Sequence, residues 1–315
     1  MMGRADYVKL ALFALGVLAV ALAPVFGDNY TVRLCTFVAM YSAMALAWNF
    51  IGGYTGYPSF ATAAFFGLGA YVGPLMQHAG APMVIAWSIA TLVTAAVATA
   101  IGAMILRLRG HYFAVGSIAL VEIFRQIAST WRDVTGGGMG LNVPILRGGP
   151  DFAGMVFLYA MMTIALVAFA VSLWVDKGRL GFGLRCIRQN EDAANMVGIE
   201  ADRYKTVAFA LSGLFCGTAG AAYASWVAYI DPSDAFSILT TLKVPVMVML
   251  GGAGTLYGPV IGVLVFIAFE ETVWSSFLEL HQAVLGTIIV VLVFFLPGGL
   301  LNLSFPRVWR RGANR

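Results

Sequence analysis

Apolar runs long enough, or nearly long enough, to cross a bilayer recur along this chain. They fall at Leu10–Phe26, Val32–Ile51, Pro58–Gln77, Pro82–Leu106, His111–Ser129, Phe152–Val175, Thr206–Val227, Ala235–Leu250, Tyr257–Phe269 and Val284–Leu303. A helix needs about 20 apolar residues to span a hydrocarbon core of roughly 30 Å. The pattern therefore predicts an all-α polytopic membrane protein of about ten spanning or partly spanning helices. Two of the runs are short, on either side of Gly251-Gly252-Ala253-Gly254. At 1.5 Å per residue they rise only about 20–24 Å, and such glycine-broken helices persist at membrane depth only where protein or a water-filled cavity covers their backbone.

A second glycine-rich break, Gly52-Gly53-Tyr54-Thr55-Gly56-Tyr57-Pro58, resembles Gly251-Gly252-Ala253-Gly254-Thr255-Leu256-Tyr257-Gly258-Pro259. Each leads from a glycine pair through a tyrosine to a proline. This reads either as an internal repeat of the transporter kind or as ordinary close packing through small residues. Between Thr130 and Asp151 the string Thr135-Gly136-Gly137-Gly138-Met139-Gly140 lacks the Lys-Ser/Thr ending of a phosphate cradle and reads as a flexible external loop.

One polar segment, residues 176–205, interrupts the apolar pattern and forms a loop within a single membrane domain spanning 1–315. Inside it, Asn190 is a good N-cap, Glu191 and Asp192 suit the first turn of a helix, and Gly198 can close it. A helix of about two turns is unstable alone and must be held by the membrane body or a partner.

Composition agrees with the pattern. The chain is 60% hydrophobic and only 11% charged, too few charges to cover a soluble protein of this size. With the N-terminus inside, the predicted cytoplasmic loops hold 14 of the 19 basic residues, a strong positive-inside bias. Splitting the chain at Gly251–Gly254 places both termini in the cytoplasm. Residues 1–23 read as a first membrane helix that stays rather than a cleaved signal. The three cysteines show no CxxC spacing, and His78, His111 and His281 are scattered near helix ends. None of the four lysines follows a glycine, so a Walker A loop is excluded, and no HExxH or GxSxG occurs. We expect no enzyme activity, no catalytic or metal site and no nucleic-acid partner, and any ATP must be hydrolysed by another polypeptide.

Polar groups inside the spans mark a candidate translocation path. Glu122 and Arg125 lie three apart on one helix face, as a structural ion pair or as the polar wall of a path. Lys243 reads equally as snorkelling, as pairing with an acid, or as lining a cavity beside Gly251, Gly252 and Gly254. Tyr54, Thr55 and Ser59 offer hydroxyls to a polar substrate or to neighbouring helices.

Several motifs converge on one family. Gly183–Ile199 (GLRCIRQNEDAANMVGI), Asn49–Tyr71 (NFIGGYTGYPSFATAAFFGLGAY), Arg107–Phe113 (RLRGHYF), Leu250–Gly262 (LGGAGTLYGPVIG) and Pro297-Gly298-Gly299-Leu300 resemble the branched-chain amino acid permease family of ABC importers, of the LivM type. The resemblance covers about residues 35–303. It implies a bacterial inner-membrane importer built from this permease, a second related permease, two ABC ATPase subunits that bind the ATP, and a periplasmic or extracellular substrate-binding protein. It assigns Asn190, Glu191, Asp192, Ala193, Ala194 and Gly198 to a coupling helix docked on the ATPase. Ala193, Ala194, Met196 and Val197 would seat in a partner groove, with the nearby Arg185 and Arg188 adding electrostatic docking; the alternative is a helix lying on the inner leaflet. Lys243 and Pro245 depart from an apolar run, which leaves relatives that move urea or short amides as an alternative. A different class, an ion-coupled secondary transporter with Glu122–Arg125 as its relay, predicts uptake without any ATPase.

Overall fold

The computed structural model describes residues 4–146 and 148–276, together with positions 286 and 300. Helices α1 (Arg4–Phe26) and α2 (Asn29–Trp48) open the chain, and α2 runs on into a π-helical turn, Asn49–Gly53. Next come α3 (Thr62–His78), α4 (Met83–Ile105), α5 (His111–Thr130) and the short α6 (Arg132–Thr135). After β1 (Leu141–Asn142) follow α7 (Pro150–Lys177), α8 (Arg179–Gln189), α9 (Glu191–Met196) and α10 (Ala201–Val227). The described chain ends with β2 (Tyr229–Ile230), α11 (Pro232–Ala235), α12 (Ile238–Gly251) and α13 (Gly258–Ser276). Six described stretches are long and apolar enough to cross a membrane: Asn29–Gly53, Met83–Ile105, His111–Thr130, Pro150–Lys177, Ala201–Val227 and Pro232–Gly251. The protein is an all-α polytopic membrane protein. The last expected run, Val284–Leu303, lies outside the described residues.

Helix α10 is the centre of the packing, held against α3 on one side and α4 on the other. Small residues make this approach close. A Cβ on Gly69 would collide with the carbonyl of Gly217, and one on Gly220 with the carbonyl of Phe66. Toward α4, Gly213 faces Ala98 and Gly217 faces Thr94 at similarly short range. Lipid tails are as apolar as leucine, so helices in a bilayer gain little by hiding apolar surface from each other; close van der Waals contact through small residues does the work instead.

The third helix starts later than the expected Pro58, at Thr62. Residues 56–61 are non-helical, with Ser59 and Ala61 buried, so their backbone groups need partners from elsewhere. The Trp48 indole donates to the Ser59 carbonyl (2.6 Å), and the Phe60 N–H donates to Ser117 Oγ (2.9 Å). At the start of α3 the Ala63 N–H reaches Thr241 Oγ1 (3.3 Å). Side chains from three other helices thus replace the missing turn.

The glycine string after α5 is folded rather than loose. Thr135 is buried and donates its hydroxyl to the Ala128 carbonyl (2.6 Å), and β1 pairs antiparallel with β2, Leu141 opposite Ile230. Tyr229 closes over the string by donating to the Met139 carbonyl (2.8 Å). The polar segment likewise holds more structure than expected, because α8 precedes the short helix; Gly181, Leu184 and Ile187 form its buried stripe at helical spacing.

Gly69→Val is expected to force α3 and α10 apart, an overpacking cost of roughly 1–3 kcal/mol or more. At Gly16 an added Cβ would meet nothing within 4 Å, so Gly16→Ala should behave like the unsubstituted protein. Thermal denaturation in detergent, followed by size-exclusion fluorescence, checks both: a Gly69→Val midpoint equal to that of Gly16→Ala would contradict the packing account.

Candidate functional site

Helix α9 is short but closed at both ends. Asn190 accepts a hydrogen bond from the Ala193 N–H through its side-chain oxygen (3.0 Å), which satisfies one of the helix's orphan donors. At the other end Gly198 takes φ +87°, its N–H donates to the Asn195 carbonyl (3.1 Å), and the Ile199 N–H returns to the Ala194 carbonyl (3.0 Å). This paired closure needs a left-handed residue, which glycine supplies without strain. The faces of α9 then divide. Glu191 and Ala194 turn inward, Ala194 being 3% exposed and packed in the core. Asp192, Ala193, Met196 and Val197 turn outward. Ala194 is therefore part of the anchor and is withdrawn from the apolar surface expected to meet a partner.

The anchor is Lys205, in the first turns of α10. Its place in the polar segment suggests a solvated loop cation, but it is only 1% exposed. Its Nζ donates to Glu191 Oε1 (2.8 Å) and to the Leu106 carbonyl at the end of α4 (3.1 Å). The same ammonium stands 4.8 Å from the Tyr57 ring centroid, a cation–π distance. Tyr57 in turn donates its hydroxyl to the other carboxylate oxygen of Glu191. A buried ammonium is tolerated only with such partners. Burial pushes the Glu191 carboxyl up, but the hydrogen bonds from Lys205 and Tyr57, with the charges of Lys205 and Arg109, outweigh it and hold the group below the usual carboxylate range. Arg109 reaches Asp192 (3.1 Å) on the exposed side, where an ion pair contributes little.

The two glycine-rich breaks, far apart in sequence, touch. Asn49, fully buried in the π-turn, donates its side-chain amide to the Thr255 carbonyl (3.0 Å) and accepts from the Gly254 N–H (2.8 Å). π-Turns inside helices often occur at functional positions. A Cβ on Gly53 would collide with Asn49 Oδ1, so that glycine is what lets the amide fold back over its own turn. The breaks differ in conformation: the first passes through a π-turn before turning at Gly56 (φ +75°), while the second turns through Gly252 (φ +124°) and Gly254 (φ +81°). Arg188, in the last turn of α8, donates Nη1 to the Gly53 carbonyl (2.7 Å), and the space where a Cβ of Gly254 would stand is taken by that same nitrogen. Neighbouring Arg185 binds Asp176 Oδ1 (2.7 Å) and the Asp176 carbonyl (2.9 Å). Both arginine tips are thus turned into the chain, away from the outward face of α9 that they were expected to assist.

Comparison with known proteins matches residues 30–293 to a family described as the branched-chain amino acid transport system permease component. The chain belongs to that family. It is 29% identical over 328 residues to the high-affinity branched-chain amino acid transport system permease protein LivM of Escherichia coli K12, covering 95% of this chain and 76% of the relative. To its Salmonella typhimurium counterpart it is 27% identical, over 96% of this chain and 77% of the relative. LivH of Salmonella typhimurium, likewise named as a permease of high-affinity branched-chain amino acid transport, is 22% identical over 60% of this chain and 62% of its own length. No solved structure matches.

The remaining candidate residues of this permease occupy different places. Tyr54, Thr55 and Ser59 are buried within the chain; Thr55 bonds the Ile51 carbonyl (2.5 Å), and Ser59 accepts the Ala61 N–H (3.4 Å). Gly251 packs its Cα against the Gly258 carbonyl where α12 and α13 cross, and Gly252 is buried beside it. Lys243 forms an ion pair with Glu270 of α13 (2.5 Å), both about a fifth to a quarter exposed. Glu122 and Arg125 form a two-bonded pair (2.5 and 2.9 Å) on the outward side of α5, with side chains 50% and 38% exposed. A cavity of about 870 Å³ between α1, α2, α7 and α13 is lined by groups such as Phe13, Val38, Met162 and Leu264. Its apolar wall is unsuited to a charged solute, which would lose its hydration without gaining partners.

Asn49, Tyr57, Arg109 and Lys205 are the residues that the sequence alone did not place in the site, and Arg188 was expected on the docking side rather than at the glycine break. A lone asparagine at the end of an apolar run, close before a glycine pair, was the available signal for Asn49; Lys205 carried none beyond an acid three residues earlier.

Lys205→Met is expected to release α9, a loss of roughly 1–3 kcal/mol of local stability, since a charge-assisted bond goes and Glu191 is left without its main partner. Hydrogen exchange of the α9 amides reads this. The pH dependence follows from the sign of the shift. A depressed carboxylate contributes stability above its unfolded value, about 4.3, and loses it only as pH falls through the lower folded value. Exchange protection of α9 should therefore stay level from about pH 8 to about pH 5, above both values; a drop between about pH 7 and pH 6 would contradict the assignment.

Proposed function

We propose that this permease is one membrane-spanning subunit of an ATP-driven importer for branched-chain or chemically related amino acids in a bacterial inner membrane. It works beside a second, related permease, two ATP-binding subunits and an external substrate-binding protein. The names of the LivM and LivH relatives support the solute class and the pairing of two permeases. Both termini and the α8–α9 segment lie on the cytoplasmic side, as the distribution of basic residues favours, and the chain crosses or enters the bilayer about ten times.

The observation that carries the reading is the outward face of α9. Met196 is 88% exposed and Val197 75%, on a helix capped at both ends and anchored on its inner side. Two exposed apolar side chains on a rigid projection suit a helix-in-groove contact, and this is where an ATPase subunit grips. Nucleotide-driven closure of the ATPase pair then moves α9, and the bundle alternates between outward and inward access. The substrate path runs along the outward side of α5, where Glu122, Arg125 and the exposed Gln126 form a polar stripe that the second permease covers. Charges at that depth facing lipid would be costly, so they face protein or water.

The test is co-purification. With Met196 and Val197 both changed to Asp, recovery of the ATPase subunits with the permease should fall at least about tenfold, the loss of roughly 1.4 kcal/mol of docking energy, and leucine uptake by cells carrying the complete system should fall with it. Undiminished recovery and uptake would end the docking assignment.

A further inference from the structure

The contacts around α9 reach further than an anchor requires. Three side chains leave the α8–α9–α10 segment and end on the first glycine-rich break, one of them where it meets the second. Glu191 holds Tyr57, which follows Gly56 in the first break. Lys205 grips Glu191 and the Leu106 carbonyl and stacks on that same tyrosine ring. Arg188 bypasses both and donates directly to the Gly53 carbonyl, beside Gly254 of the second break. From there Asn49 continues the connection, joining the π-turn to Gly254 and Thr255 through two hydrogen bonds.

The chemistry of each end suits a transmitted push. A π-turn carries a surplus residue and glycines with left-handed φ have no side chain to block rotation, so the breaks are the places where this backbone can change direction most easily. The guanidinium is planar and permanently charged, and a charge-assisted bond to a carbonyl is about twice as strong as a neutral one. Arg188 spans between them, its stem passing over Gly56 and its tip on the Gly53 carbonyl, an arrangement that commits a long side chain to a single backbone oxygen.

We propose that Arg188 and Lys205 are positioning residues that tie movement of α9 to both glycine-rich breaks at once, so that one displacement of the short helix re-angles α2 against α3 and α12 against α13 together. Arg188 carries the tie to the breaks, and Lys205 keeps α9 and α10 moving as one body. This rests on the reading that an ATPase grips α9.

The experiment uses the complete importer in proteoliposomes: both permeases, the ATPase subunits and the external binding protein loaded with leucine. Leucine accumulated per ATP hydrolysed is the readout, with ATPase recovery as the measure of assembly. Arg188→Gln should recover ATPase normally and still hydrolyse ATP, while the uptake-to-hydrolysis ratio falls about tenfold, within the usual range of a coupling between sites; Arg188→Lys, which keeps a donor and the charge, should restore part of it. A purely structural role would lower assembly and leave the ratio of what assembles unchanged. An unchanged ratio in assembled Arg188→Gln overturns the tie while leaving the docking assignment standing. If Arg188→Gln fails to assemble, Arg188→Lys decides alone: a ratio equal to that of the unsubstituted complex overturns the proposal, and a ratio reduced severalfold supports it. Loss of docking itself is read separately by the Met196 and Val197 substitutions.

Discussion

The ammonium of Lys205 cannot be left bare. It is buried almost completely, and an unpaired charge in such surroundings would cost several kcal/mol. Its requirements draw four parts of the chain to one point: the carbonyl that ends α4, the carboxylate that begins α9, the tyrosine of the first glycine-rich break, and α10 itself. The polar segment is consequently no loose loop. A helix of six residues, which has no stability of its own in water, is held in one orientation with its apolar outer side chains presented.

The membrane body meets a related demand with neutral groups. At three places where the backbone leaves the helix, a side chain from elsewhere supplies a hydrogen bond: Trp48 and Ser117 for residues 59–60, Thr241 for the start of α3, Asn49 for the turn at Gly254. Without water in the hydrocarbon region these are obligations rather than embellishments. Small residues let α3, α10 and α4 come close enough for such reach. The Lys243–Glu270 pair does the same for charge in the α12–α13 hairpin. The Glu122–Arg125 pair differs, because among the described residues its side chains stay 50% and 38% exposed, whereas Tyr54 and Ser59 are buried.

How legible was this in the residues alone? The apolar runs mark α1 to α5, α7 and α10 because twenty or so consecutive apolar side chains have few other stable uses, and the shorter runs on either side of Gly251–Gly254 mark α12 and α13. The caps of α9 were readable because Asn190 and Gly198 act on their immediate neighbours. The delayed start of α3 was not readable: proline is compatible with a first helical turn, and only the positions of Trp48, Ser117 and Thr241 in space decide that residues 56–61 stay unwound. Helix α8 was hidden by its charges, since Arg179, Arg185 and Arg188 read as a solvated loop until the buried stripe of Gly181, Leu184 and Ile187 finds its neighbours.

Class, approximate helix positions, the capped helix and the family signature are thus properties of local composition and short-range spacing, and the chain alone determined them. Which charges are solvated and which are buried is a different kind of fact. Lys205 and Arg203 look alike in sequence, yet one is sealed among α4, α9 and α10 while the other lies on the surface beside Glu200. Asn49 and Gly254 are unrelated until two distant breaks are folded together. Only tertiary structure decided these, because burial and hydrogen-bond partnership depend on what other segments bring to the same point, and no spacing within one segment encodes that.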